Sequence, residues 1–161
     1  MNDIRIGIGE DIHRFVPNKQ LVMGGVKVPF EKGLLAHSDG DVVYHALADA
    51  LLGSLALGDI GHYFPTDDPN WDNVDSALIV AKTMELVKEK GYEVSNADII
   101  ILAEKPKIAP ILMEMRSNIA SLLNVDISRV GVQAGTEEGL GEIGKGEGIR
   151  AKVAVLVSKG E

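Results

Sequence analysis

The chain contains no cysteine, which excludes disulfides and thiolate metal sites and leaves histidine and carboxylate as the only strong metal ligands. Long apolar runs are missing as well: no stretch approaches the ~20 residues that a membrane-spanning helix needs. The opening Met1-Asn2-Asp3-Ile4-Arg5 lacks the apolar segment of a secretion signal. Basic residues are in the minority, 16 Lys and Arg against 24 Asp and Glu, for a formal charge of −8. That balance argues against general nucleic-acid binding, which relies on basic surface to displace counterions. It also means that an anionic ligand needs metal ions or local dipoles to overcome the protein's own field. The expected setting is the cytoplasm (a plastid only if a transit peptide has been removed), with neither nucleic acid nor membrane as a partner.

What is present suits one core. The 161 residues are 45% hydrophobic, within the usual size of a single domain, so residues 1–161 are read as one domain. Ile4, Ile6, Ile8 and Ile12 alternate with Arg5, Gly7, Gly9, Asp11 and His13, a period of two that predicts a strand. Its isoleucine face is expected to be core, and its glycine face to carry Asp11 and His13. Leu21 to Val28, broken by Gly24-Gly25, reads as a hairpin. Helical spacing follows from Ser38 to about Leu57, with Ser38 and Asp41 as a capping box and Gly58 as the stop. A second helix is expected over 76–90 behind Asp75, and a third over 108–123 with Pro110 in its first turn. Ala97 to Glu104, Val130 to Ala134 and Ile149 to Ser158 read as strands. Six glycines in 135–148 are too many for regular structure. The predicted class is α/β of the α+β type, a mixed sheet covered by helices on one face.

Two glycine signatures in that loop fail on context. Gly139-Leu140-Gly141-Glu142-Ile143-Gly144 matches the dinucleotide pattern, but a strand follows where a helix is required. Gly139 to Lys145 begins like a P-loop, but Gly146 replaces the obligatory Ser or Thr. Asp68 to Asp72 imitates a calcium loop without its glycine or its closing glutamate.

One constellation survives. Asp11 and His13, two apart on a strand, share a face. His45 lies in the first predicted helix with Asp41 and Asp49 one turn to either side. Two histidines and one carboxylate suit zinc with an open fourth position, and Asp49 is placed to orient His45 through its other ring nitrogen. The competing reading is a buried His45 satisfied by Asp49 and an exposed His13. His37 and Ser38 have a similar double reading, as a helix cap or as an anion site at a helix N-terminus.

Taken together, these stretches resemble the 2-C-methyl-D-erythritol 2,4-cyclodiphosphate synthase family. The resemblance rests on Gly9-Glu10-Asp11-Ile12-His13, Gly33 through Asp41, His45-Ala46-Leu47, Asp49 through Gly53 and Leu57 through Gly61. It continues in Phe64-Pro65, Asp75-Ser76, Pro106-Lys107 and Gly144 through Ile149. It implies a homotrimer with active sites between subunits and zinc on Asp11, His13 and His45. It further implies that His37 and Thr136 stabilise the transition state and that Glu138 reaches a second ion, Mg²⁺ or Mn²⁺. Substrate contacts implied in the same way, besides Asp11, His13, His37 and Ser38, are Asp59, Ile60, Gly61, Phe64, Pro65, Thr66, Asp67 and Asp68 for the erythritol and phosphate portion. Ala103, Glu104, Lys105, Pro106, Lys107, Ile108 and Ala109 match the cytidine-binding segment, followed by Gly135, Thr136, Glu137 and Glu138.

The implied reaction is an intramolecular phosphoryl transfer on 4-diphosphocytidyl-2-C-methyl-D-erythritol 2-phosphate. It releases CMP and forms the 2,4-cyclodiphosphate of the isoprenoid pathway, and it counts as a phosphorus–oxygen lyase reaction. Departures from the pattern fall at Gly135, Glu137, Glu142 and Lys145. In relatives, the last two positions line an axial cavity that holds an isoprenoid diphosphate. A carboxylate at 142 and a lysine in place of a bidentate arginine at 145 disfavour that ligand here. Two other functions fit an open zinc site: a phosphoesterase that releases inorganic phosphate, and a non-catalytic, metal-stabilised nucleotide-binding trimer.

Overall fold

The computed structural model describes residues 3–160. Strand β1 runs Ile4–Pro17, β2 and β3 are Leu21–Met23 and Val26–Val28, and β4 is Lys32–Leu34. Helix α1 (Val42–Ser54), the single turn α2 (Ile60–Tyr63) and α3 (Ser76–Glu89) follow. Then come β5 (Tyr92–Leu102), α4 (Leu112–Leu123), β6 (Val130–Gly135), a short α5 (Gly141–Gly144) and β7 (Gly148–Lys159). Five strands make one sheet in the order β4-β1-β7-β5-β6, and β2-β3 stand apart as a hairpin. Only β5 and β6 are parallel, so the sheet is mixed. Helices α1, α3 and α4 gather on one side of it, giving the expected α+β domain. No helix among the described residues is long and apolar enough to cross a membrane.

Helix α1 is the centre of the domain. Eleven of its 13 residues are buried, because it is apolar or alanine nearly all round and packs between the sheet and α3. It is shorter than its spacing predicts, since Asp41 rather than Ser38 is the N-cap and accepts the Tyr44 N–H. The Gly24-Gly25 hairpin turn is found as expected, both residues having positive φ (56° and 74°). The glycine-rich segment 135–148, expected to be irregular, contains the one-turn helix α5.

The face of β1 that packs inward is the reverse of the expected one. Ile4, Ile6, Ile8 and Ile12 are 57, 68, 73 and 46% exposed, while Gly7 and Gly9 are buried. The reason is the closeness of α1: a Cβ on Gly7 would fall on the carbonyl oxygen of Ala50, and one on Gly9 on that of Ala46. Glycine is therefore the packing surface. It lets strand and helix meet backbone to backbone, and the isoleucines of the single chain are left uncovered.

Candidate metal centre and active site

Close packing of β1 on α1 determines where the strand's next inward residues go. Beyond Gly7 and Gly9, Asp11 and His13 emerge on the same face, and His45 meets them from the first turns of α1. Asp11 Oδ2 lies 2.7 Å from His13 Nε2 and 3.2 Å from His45 Nδ1, and the two ring nitrogens are 3.0 Å apart. These three atoms are the convergent donors that a metal site requires. Ligands about 2.1 Å from a small divalent ion in tetrahedral geometry stand about 3.4 Å apart, so the set fits such an ion with one position open. Burial would raise the Asp11 carboxyl, but hydrogen bonds with His13 and His45 outweigh it and hold the group at about 2. The carboxylate is thus ionised and ready to ligate.

Asp49 does not orient His45, contrary to its helical spacing. Its carboxylate accepts the Ile60 N–H at 2.9 Å and so ties α2 to α1, and burial raises its pKa. The outer nitrogen of His45, Nε2, faces two hydroxyls instead, Ser38 Oγ at 2.9 Å and Ser76 Oγ at 3.0 Å. Ser76 is fully buried and is clasped by Asp39, whose Oδ1 takes its hydroxyl at 2.6 Å and whose Oδ2 takes its N–H at 3.1 Å. Neither Asp39 nor Ser76 is among the residues expected at the site. Both lie in stretches that carry the family resemblance, Gly33 through Asp41 and Asp75-Ser76, but by their local pattern they read only as a polar loop and a helix start.

The Asp11–His13–His45 cluster opens into a cleft of about 600 Å³ lined by Asp11, His13, Leu35, Ala36, His37, Ser38, His45, Ile60, Gly61, Phe64, Thr66, Trp71, Asp72 and Ile79. Its apolar wall is an edge-to-face pair, Phe64 on Trp71 with ring centroids 4.7 Å apart. The loop carrying His37 and Ser38 is steadied by Lys19, whose ammonium donates to the carbonyls of Ala36 and Ser38 at 3.4 and 3.3 Å. His37 is exposed at the rim. From the 59–68 segment, Ile60, Gly61, Phe64 and Thr66 reach the lining and Asp59, Pro65, Asp67 and Asp68 do not. Asp59 and Asp68 serve as helix caps, accepting from His62 N and Asn70 N.

The remaining expected contacts are absent from this cleft. Ala103, Glu104, Lys105, Pro106, Lys107, Ile108 and Ala109, with Gly135, Thr136, Glu137 and Glu138, lie at or just beyond the C-terminal ends of the parallel pair β5 and β6. They are joined there by Ala103 N–H to Gly135 O at 3.0 Å and Gly139 N–H to Glu104 Oε1 at 3.2 Å. Thr136 Oγ1 accepts the N–H of Glu138 at 3.2 Å, and both residues are exposed. Glu137 lies 3.7 Å from Arg150, whose Nε is 3.3 Å from Glu10 Oε1 without hydrogen-bond alignment. Lys145, exposed just after α5, shares a hollow with Glu104 and Lys105, whereas Glu142, exposed on α5, shares one with Ile12, His13 and Arg14. One chain therefore presents two separate groups of expected site residues.

Comparison with known proteins agrees with the fold and identifies the family. The chain is 52% identical to 2-C-methyl-D-erythritol 2,4-cyclodiphosphate synthase of Cyanothece sp., over 98% of this chain and 99% of the relative. It is 49% identical to the synthase of Clostridium perfringens, over 97% and 100%. Among solved structures, the bifunctional IspDF of Campylobacter jejuni superimposes with a TM-score of 0.94 at 40% identity, covering 99% of this chain and 43% of that one. IspF of Plasmodium falciparum, solved as a CDP complex, gives 0.87 at 36% identity, over 100% and 99%. The YgbB family model matches residues 4–158. With a family model matching residues 4–158 and near-complete coverage by named synthases, the chain belongs to the YgbB family, that of the 2-C-methyl-D-erythritol 2,4-cyclodiphosphate synthases.

Proposed function

We propose that this protein converts 4-diphosphocytidyl-2-C-methyl-D-erythritol 2-phosphate to 2-C-methyl-D-erythritol 2,4-cyclodiphosphate and CMP, a lyase reaction of isoprenoid precursor synthesis carried out in the cytoplasm. The observation that carries this reading is the convergence of Asp11, His13 and His45 in one cleft with His37 and Ser38. An oxygen of the 2-phosphate attacks the β-phosphorus, the bond from that phosphorus to the oxygen bridging toward the α-phosphate breaks, and CMP leaves with that oxygen. The attacking phosphate is already ionised, so the protein needs no activated nucleophile. Positioning and charge neutralisation suffice.

Asp11, His13 and His45 are the residues that would hold zinc, and Glu138 would hold Mg²⁺ or Mn²⁺. Bound there, the ions supply Lewis-acid polarisation of phosphate and relieve the repulsion between a polyanion and a chain of charge −8. The chain's own groups do the rest. Ser38 and His37 meet the phosphates at the cleft mouth, and the Phe64–Trp71 wall excludes water from one side. Thr136 keeps its hydroxyl proton for the transition state, because its oxygen already accepts from Glu138 N–H.

The separation of Ala103–Ala109 and Gly135–Glu138 from the cleft supports a homotrimer in which one subunit's cytidine loop completes its neighbour's site. The exposed isoleucine face of β1 supports the same assembly. The Glu142 carboxylate disfavours an apolar isoprenoid tail, and Lys145 lacks the bidentate grip of an arginine on a diphosphate.

Phosphorus NMR on purified protein with the cytidine substrate, zinc and Mg²⁺ tests the reading. The expected result is CMP with the cyclic diphosphate, abolished by chelation and in His13→Ala. Inorganic phosphate as the product would instead identify a hydrolase, and bound metal without any product a binding scaffold.

A further inference from the structure

His45 is held at both nitrogens, and a count of protons shows which neighbour acts on it. A ring nitrogen that faces a metal position must present its lone pair, so with Nδ1 turned to Asp11 and His13 the proton of the neutral ring belongs on Nε2. That proton needs an acceptor, and two hydroxyls compete for it at nearly equal distances, Ser38 Oγ at 2.9 Å and Ser76 Oγ at 3.0 Å. A hydroxyl has one proton to give. The proton of Ser76 is committed to Asp39 Oδ1 at 2.6 Å, a short bond to a carboxylate. Toward His45, Ser76 can therefore only accept. Its orientation is fixed twice over, since Asp39 Oδ2 also grips its backbone N–H, and its side chain has no exposure to solvent.

Ser38 is differently placed. Its oxygen accepts the N–H of Gly40 at 3.2 Å, it lines the cleft, it stands a long 3.4 Å from Ser76 Oγ, and no carboxylate claims its proton among the described contacts.

We infer that Ser76 and Asp39 are positioning residues for the metal site: Asp39 fixes the Ser76 hydroxyl as the acceptor that holds His45 in the Nδ1-ligating form, which leaves the Ser38 proton free for a substrate phosphate. The two serines, alike in distance from His45, thus have separate tasks. Ser76 acts on the metal through His45, and Ser38 acts on the anion. Histidine ligands depend on such outer partners for ring orientation and basicity, and their loss typically weakens metal binding by about 10- to 100-fold. The inference rests on Asp11, His13 and His45 being metal ligands.

The test measures zinc dissociation constants by competition with a chromogenic chelator, with no substrate present. Ser76→Ala is expected to weaken zinc by about 10- to 100-fold, Asp39→Asn in the same direction by less, and Ser38→Ala by no more than about twofold. Proton NMR of the zinc-loaded protein provides a second readout, one that reports on His45 itself. The His45 Nε2–H should give a slowly exchanging resonance that persists in Ser38→Ala and shifts or exchanges away in Ser76→Ala. A wild-type zinc constant in both Ser76→Ala and Asp39→Asn overturns the inference, as does loss of the resonance in Ser38→Ala instead. Failure of the wild-type protein to bind zinc at all would sink the metal-site reading itself, a distinguishable result.

Discussion

Asp41 binds Gly25 across the domain: the buried carboxylate accepts the N–H of Gly25 at 2.8 Å and that of Gly24 at 2.9 Å, while also capping α1 through Tyr44 N–H at 3.1 Å. One side chain thereby fastens the β2–β3 turn to the start of the helix that carries His45. Burial nevertheless dominates the three hydrogen bonds and raises its carboxyl from 3.8 to about 6.

The sign of the pH effect follows. Between about pH 4 and 6 the folded chain holds a proton at Asp41 that the unfolded chain has released, so stability falls as pH rises through this window. Urea unfolding of metal-free wild type and Asp41→Asn across that range isolates the effect. The advantage of wild type over the variant should shrink with rising pH, by on the order of 3 kcal/mol at most. An advantage that grows with pH contradicts the assignment.

Gly9→Ala should be severely destabilising, by more than about 3 kcal/mol, because the added carbon meets the backbone carbonyl of Ala46 and not a side chain that can rotate away. Thermal unfolding measures the loss. Zinc affinity should fall with it, since strand and helix can relieve the clash only by moving Asp11 and His13 away from His45.

Asp49→Asn, in contrast, should leave zinc affinity at the wild-type value. The amide oxygen can still accept the Ile60 N–H, and Asp49 makes no hydrogen bond to His45. A tenfold weaker zinc constant in this variant would restore Asp49 as the partner of His45.

Ile8→Lys puts a charge on the most exposed of the β1 isoleucines, 73% accessible in the single chain. Light scattering coupled to gel filtration should show a trimer for the wild type and a monomer for the variant. Metal binding, which needs only one chain's residues, should survive in that monomer while turnover is lost.

Zinc itself should stabilise the fold. At a free concentration one hundred times its dissociation constant, the unfolding free energy should rise by about 2.7 kcal/mol, an increment that Asp11→Asn removes. Differential scanning calorimetry with and without chelator reads it.

Much of this was legible in the residue order, and the failures have physical causes. Alternation alone places Asp11 and His13 on one face of a strand, because side chains repeat every second residue. What alternation does not reveal is which face a helix will cover. Four isoleucines outweigh two glycines on any hydrophobicity scale, yet the absence of a side chain was what α1 required. His45 was recognisable as a candidate, but its partner was not: a carboxylate one helical turn away is visible in the sequence, whereas Ser76 lies 31 residues further along and arrives by tertiary packing. The split between the cleft and the 103–109 loop follows from strand order, with β7, the last strand in sequence, lying between β1 and β5.

The glycine contact of β1 with α1 sets the tolerance of the whole centre. Where side chains separate two elements, their spacing varies with every rotamer and every core substitution. Here the spacer is two peptide planes, which have no rotamers, so His13 and His45 are held at a gauge that repacking elsewhere in the core does not change. Sequence drift in the surrounding leucines and valines can then proceed without recalibrating the metal site, while Gly7 and Gly9 themselves have no permissible neighbour in the genetic alphabet.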